Sequence, residues 1–236
     1  MDTIVLDQLP FRLDFDDLRR ALRLRPGNSL ETDLRRLAEE AQAVARPKAL
    51  YKIVYVDSRD ESQVTLDGVT FKSKVLRANL EEVHRVFAYV VTCGTELDEW
   101  ARSIEDMLHS FWADAIKEMA LRQAQAALLT HLKTTYRLGK TSAMNPGSLA
   151  DWPIQQQRPL FRLLGSVEQT DGIGFLPAIG VRLTDSFLMI PNKTISGIRF
   201  PTESNFESCL LCPRETCPTR RAPYDPHLLE EQYGHD

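Results

Sequence analysis

The apolar positions of the chain switch between helical and strand periods without a regular strand–helix–strand rhythm. Leu30, Leu34, Leu37, Ala38, Ala41 and Ala45 recur three and four residues apart, on one face of a helix. Asn28, after Pro26-Gly27, is placed to cap that helix, with Glu31 reaching back as in a capping box, and Pro47 stops it. The run Tyr51 to Val56 is rich in β-formers, and Asp67-Gly68 between Gln63–Leu66 and Val69–Phe71 predicts a hairpin turn. The apolar run from Arg85 to Thr92 predicts a buried strand. It leads through Cys93-Gly94 into a helix capped by Thr95, with Leu97, Trp100, Ala101, Ile104 and Leu108 as its stripe.

A longer helix is expected from Phe111 to Leu138, ended by Gly139. Its inner face is small, with Ala115, Ala120, Ala124 and Ala127 beside Ile116, Met119, Leu128 and Leu132. Thr141 to Pro153 then reads as a loop, and a short helix ends at Leu163-Leu164-Gly165. Gly172 and Gly174 bracket a turn, and Phe187–Ile190 and Thr194–Phe200 read as strands. The mixture predicts an α+β fold, a mixed or antiparallel twisted sheet with flanking helices, rather than a doubly wound sheet. Three parts are expected: an N-terminal α/β segment over 1–78 packing on the core, a core over 79–200, and a cysteine-containing tail over 201–236.

Composition narrows the function classes. The net charge of −4 over 236 residues lacks the basic excess of a nucleic-acid binder. The N-terminus, Met1-Asp2-Thr3-Ile4, has no secretory pattern, and no stretch approaches the ~20 apolar residues of a membrane span. A cytoplasmic location is therefore expected. In that compartment clustered cysteines point to metal or redox chemistry rather than disulfides.

Such a cluster exists. Cys209, Cys212 and Cys217 form a C-x2-C-x4-C run. Three local thiolates can hold an iron–sulfur cluster whose fourth position is Cys93, a histidine or open. They can also hold zinc, completed by His227, His235 or Cys93, or, as the bland alternative, remain unligated thiols. Cys93 itself follows a buried strand, which suits an inert core thiol as well as a fourth ligand. Asn145-Pro146-Gly147-Ser148 has turn composition, and Thr184-Asp185-Ser186 is a polar step before an apolar run. Ser196-Gly197 inside a strand pattern points to a close backbone approach or a bulge. No glycine-rich phosphate loop, paired-carboxylate motif or Cys/Ser–His pair supports hydrolase or kinase chemistry.

An ordered series carries a resemblance. Pro146-Gly147, Asp151-Trp152-Pro153, Leu160 to Gly165, Gly180 to Met189 and Ile195 to Ile198 follow one another, with Thr92-Cys93-Gly94-Thr95 upstream. The series resembles the activation domain of cobalamin-dependent methionine synthase, here as a free-standing protein. The resemblance implies that 79–200 is an activation-domain-like core. It implies a partner, a corrinoid protein or cobalamin-dependent methyltransferase, whose oxidised cobalamin is reactivated by one electron and a methyl group from S-adenosylmethionine. It makes Asn145, Pro146, Gly147, Ser148, Asp151, Thr184, Asp185, Ser186, Ser196, Gly197 and Arg199 the candidate cofactor-binding residues. Ala143 stands where the family has an arginine before the loop, Ser148 replaces a tyrosine, Arg199 an aromatic residue and Asp185 a glutamate. Three functions are consistent with these residues. One is a corrinoid reactivation factor whose cysteine cluster stores the electron. Another is a methyl-donor domain with Asp185 and Arg199 as altered contacts. The third is a binding module with a zinc clip.

Overall fold

The strand β5 (Arg85–Thr92) is the axis of the fold, and seven of its eight residues are buried. In this computed structural model residues 2–169, 172–204, 206–214, 216–217, 220–228 and 233 are described. β5 pairs antiparallel with β2 (Lys48–Arg59) on one side and β11 (Thr194–Pro201) on the other. The sheet runs β4 (Val69–Lys72), β3 (Gln63–Leu66), β2, β5, β11, β6 (Thr141–Met144), with β1 (Ile4–Leu6) also on β2. Residues 1–78 thus contribute strands to the same sheet as the later segments. The architecture is α+β with antiparallel pairing throughout the described strands.

Period-two alternation along β5 sends Val86, Ala88 and Val90 into one core and Phe87, Tyr89 and Val91 into another. The first core is closed by α3 (Lys74–Asn79), α6 (Gln157–Leu163) and a second sheet. That sheet has the order β10 (Met189–Ile190), β9 (Val181–Leu183), β8 (Gly172–Leu176), β7 (Val167–Gln169). On the opposite face lies α5 (Met107–Tyr136), through Leu121, Ala124, Leu128 and Leu132. The N-terminal half of α5 packs on α1 (Phe15–Ala21), α2 (Glu31–Val44) and α4 (Thr95–Arg102) in a helical core containing Leu18, Leu34, Trp112 and Cys93. Among the described residues no helix is long and apolar enough to cross a membrane.

The Asp67-Gly68 hairpin forms as expected, with φ of 42° and 76° at its two central residues. Several boundaries differ from the periodicity. Leu30 caps α2; the Asn28 side chain instead accepts from the Leu30 N–H at 2.9 Å, and Glu31 accepts from Gly27 N–H at 3.0 Å. Gly94, not Thr95, caps α4, at φ 95°. The Asp106 side chain accepts from His109 N–H at 2.8 Å and starts α5 four residues before Phe111. Leu108 therefore leaves the α4 stripe and is 42% exposed. Arg137 ends α5 in the left-handed region, at φ 51°, ahead of Gly139. Thr141–Met144, expected as loop, is the edge strand β6, and the expected turn at Gly172–Gly174 is part of β8. Phe187 and Leu188 are in a tight turn rather than a strand. Thr184 N–H donates to Leu188 O at 2.9 Å, and the Thr184 hydroxyl accepts from Leu188 N–H at 3.1 Å, holding Phe187 at φ 63°.

Gly94 meets two constraints at once. Its φ suits glycine, and a Cβ there would overlap the Arg46 carbonyl. We expect Gly94→Ala to destabilise the fold by about 2 kcal/mol or more, measured by urea unfolding. An unchanged midpoint would show that the strand–helix junction tolerates the shift.

Candidate functional site

The site is built where β6 and β11 meet the turn between β9 and β10. After β6 the chain turns at Asn145-Pro146-Gly147-Ser148, with Ser148 N–H donating to Asn145 O at 3.1 Å and Gly147 N–H to Trp152 O at 2.8 Å. Trp152 anchors the loop. It is fully buried, edge-on to Phe71 with ring centroids 6.1 Å apart. The Asn145 amide then donates to the Tyr89 hydroxyl at 2.9 Å and to Ser196 O at 2.6 Å. This crossing passes over Gly197, where a Cβ would lie 2.6 Å from Asn145 Nδ2, 3.0 Å from the Tyr89 hydroxyl and against Met144 O. The buried Ser196 hydroxyl donates to Gln157 Oε1 at 2.6 Å, tying β11 to the start of α6.

Together these segments enclose a cavity of about 560 Å³ lined by residues 145–148, 154, 157, 184, 186–190, 192 and 194–196. Its volume and largely apolar wall with a few polar groups suit a small-molecule ligand. No charged side chain is among the lining residues; the polar groups are amides and hydroxyls. One wall residue, Asn192, is held from behind. Its Oδ1 accepts from Lys117 Nζ at 2.6 Å, and Lys117 pairs with Asp98 at 2.5 Å in a nearly fully buried contact. Pairing is what makes those two charges tolerable in the helical core.

The structure brings seven of the eleven candidate residues to this cavity: Asn145, Pro146, Gly147, Ser148, Thr184, Ser186 and Ser196. Gly197 lies directly behind the wall. Asp151 is elsewhere. Its carboxylate accepts from the Ser73 hydroxyl, Lys74 N–H at 3.0 Å and Val75 N–H at 3.1 Å, so it completes the cap of α3. Asp185 is in the turn but is not a lining residue. Arg199 donates to the Thr141 hydroxyl at 3.0 Å, and its surroundings are Tyr89, Arg221 and Glu207. Burial pushes its guanidinium below the ordinary value. Tyr89, Gln157 and Asn192 had no signal in the sequence beyond being polar residues in or beside apolar segments.

The fold is similar to that of a MetH reactivation domain bound to AdoHcy. That solved structure superposes with a TM-score of 0.56 at 15% identity, covering 88% of this chain and 81% of the other. At this identity the likeness is one of fold. No protein-family model and no curated protein matches the chain.

The cysteines separate into two places. Cys93 is fully buried in the helical core beside α4 and α5. Cys212 packs against the core on the opposite face of the sheet, and Cys209 and Cys217 are partly exposed. Cys93 is therefore not brought to the C-terminal run. His227 is exposed on the tail, and His235 lies outside the described residues. Among the described residues no three His, Cys, Asp or Glu side chains lie together as a bound metal would require.

Burial pushes the Cys93 thiol up to about 12, against a smaller opposing effect of Lys117. In metal-free protein, a thiol reagent at about pH 8 should label the partly exposed Cys209, Cys212 and Cys217 and spare the buried Cys93 until the protein unfolds, read by peptide mass spectrometry. A raised thiol pKa stabilises the fold below its ordinary value of 9.0, and that stability is lost as pH rises toward about 12. Rapid labelling of Cys93 in the native state would contradict its burial.

Proposed function

We propose that the chain is a reactivation factor for a corrinoid protein, with the neutral cavity as the seat of S-adenosylmethionine. The observation that carries this reading is the gathering of three separate motif segments, through residues 145–148, 184 with 186–190, and 194–196, around one cavity. Support comes from the fold likeness to a reactivation domain that was solved with AdoHcy. The partner presents cob(II)alamin. A one-electron donor reduces it to cob(I)alamin, and the cobalt attacks the methyl carbon of S-adenosylmethionine. The cobalt–carbon bond forms, the carbon–sulfur bond breaks, and S-adenosylhomocysteine leaves. The cofactor carries this chemistry; the chain contributes position and exclusion of water. Cob(I)alamin survives only in reducing surroundings, which fits a cytoplasmic site of action.

The lining sets the affinity. Apolar wall and amides suit a neutral nucleoside, but no guanidinium is among the lining residues to meet a ligand's carboxylate. Hydrogen bonds to a charged group contribute about 1.5–3 kcal/mol, so binding should be about 10- to 100-fold weaker than in a guanidinium-bearing cavity. Neither Ala143 nor Arg199 supplies that contact, the one for lack of a head group and the other because it faces the tail.

The test mixes the chain with a cobalamin-binding methyltransferase domain in the cob(II)alamin state, titanium(III) citrate and S-adenosylmethionine. We expect the visible spectrum to convert to methylcobalamin only when the chain is present. Ser148→Trp, at an exposed position on the cavity wall, should stop the conversion without unfolding the protein. Conversion at the same rate without the chain, or undiminished with Ser148→Trp, would overturn the reading.

A further inference from the structure

The helical layer sets a buried ammonium against the rim of the cavity. Lys117 on α5 pairs with Asp98 on α4 at 2.5 Å, with both side chains only 6% exposed. The turn after β10 is drawn onto these helices. Cys93 N–H donates to Lys193 O at 3.0 Å, and the Lys193 ammonium pairs with Asp114 at 2.9 Å. Lys117 Nζ then donates to Asn192 Oδ1 at 2.6 Å. An ammonium has donors and no acceptor, so this contact fixes which way the amide faces, with Oδ1 toward Lys117 and Nδ2 away from it. Asn192 is an exposed residue of the cavity lining, and its N–H groups have no acceptor among the described residues. The Asn145 amide, by contrast, spends its N–H groups on the Tyr89 hydroxyl and the Ser196 carbonyl. An amide whose oxygen accepts a charge-assisted bond is also polarised, which makes its nitrogen a stronger donor.

We propose that Asn192 is the residue that receives the ligand's carboxylate, and that Lys117 is the positioning residue that aims the Asn192 N–H groups at it. The inference rests on the cavity being the seat of S-adenosylmethionine. The apolar wall takes the nucleoside, and the ionic end of the ligand stays at the exposed rim, where the cost of removing it from water is least. There it meets a donor with no acceptor beside it on the same side chain. A donor-only surface binds a carboxylate and rejects an ammonium, so the pair also sets which way round the amino-acid end lies. Were Lys117 absent, the Asn192 amide would be free to turn its oxygen outward, and the discrimination would be lost. A neutral donor standing where a guanidinium is absent also agrees with the modest affinity expected of this cavity.

The test compares S-adenosylmethionine with decarboxylated S-adenosylmethionine, which differ only in the carboxylate, by calorimetry on the full chain. We expect the wild type to prefer the carboxylated ligand by about tenfold. Asn192→Ala should abolish that preference while the affinity for the decarboxylated ligand stays the same, a change in ratio that a merely structural role does not produce. Asn192→Asp reads the same contact from the other side. Its carboxylate pairs with Lys117 and presents no donor, so the preference should reverse. Lys117→Met combined with Asp98→Asn removes the ammonium without leaving a bare buried carboxylate, and should lower the preference at least about threefold. The Asn192 variants change an exposed side chain, so they carry the test even if the core variant fails to fold. Equal wild-type affinity for the two ligands, or a preference that survives Asn192→Ala or Asn192→Asp, would overturn the proposal and leave the cavity as a nucleoside site. A wild type that binds neither ligand would overturn it together with the reading it rests on.

Discussion

One hydrogen-bonded crossing holds the candidate site together. The Asn145 amide spans from the Tyr89 hydroxyl on β5 to the Ser196 carbonyl on β11, over a position that only glycine can occupy. Three consequences follow from that geometry. The chain leaving the edge strand β6 is folded back toward the centre of the sheet. Ser196 is left facing Gln157, which fixes the start of α6. The Pro-Gly turn is set opposite the Thr184–Leu188 turn, and the space between them is the cavity. The buried Asp98–Lys117 pair secures the remaining wall through Asn192, so the helical layer behind the sheet also shapes the cavity.

Charge is distributed unevenly around this frame. The cavity has amides and hydroxyls but no charged lining, while Arg199, Arg220 and Arg221 belong to the tail side of the molecule. A ligand in the cavity would therefore meet shape and neutral hydrogen-bonding groups rather than charge. Arg199 connects the two regions by position. It lies three residues along β11 from Ser196, yet its partners are Thr141 and the charges of the tail.

Much of the frame was legible in the sequence because its signals are local. The buried β5, the Asp67-Gly68 hairpin and the apolar face of α2 rest on periodicity and turn chemistry within a few residues. The failures share the opposite cause. β6 is short, and its strand character comes from pairing with β11, far along the chain. Phe187-Leu188 has strand composition, but the Thr184 side chain imposes a turn on it. Asp151 has the look of a ligand residue, and its partners are the N–H groups of α3, many residues earlier. Tyr89 is indistinguishable in sequence from a packing tyrosine, because its hydroxyl's partner lies on another element. The motif series located seven cavity residues but not the residues that support them.

Calorimetry with AdoHcy tests most directly whether the cavity is a nucleoside site. We expect a single saturable heat below about millimolar ligand, and at least about tenfold weaker binding in Asn145→Leu, which keeps the side chain's shape and removes the amide crossing. No heat with wild-type protein at millimolar AdoHcy, or equal affinity in the Asn145→Leu protein, would contradict it.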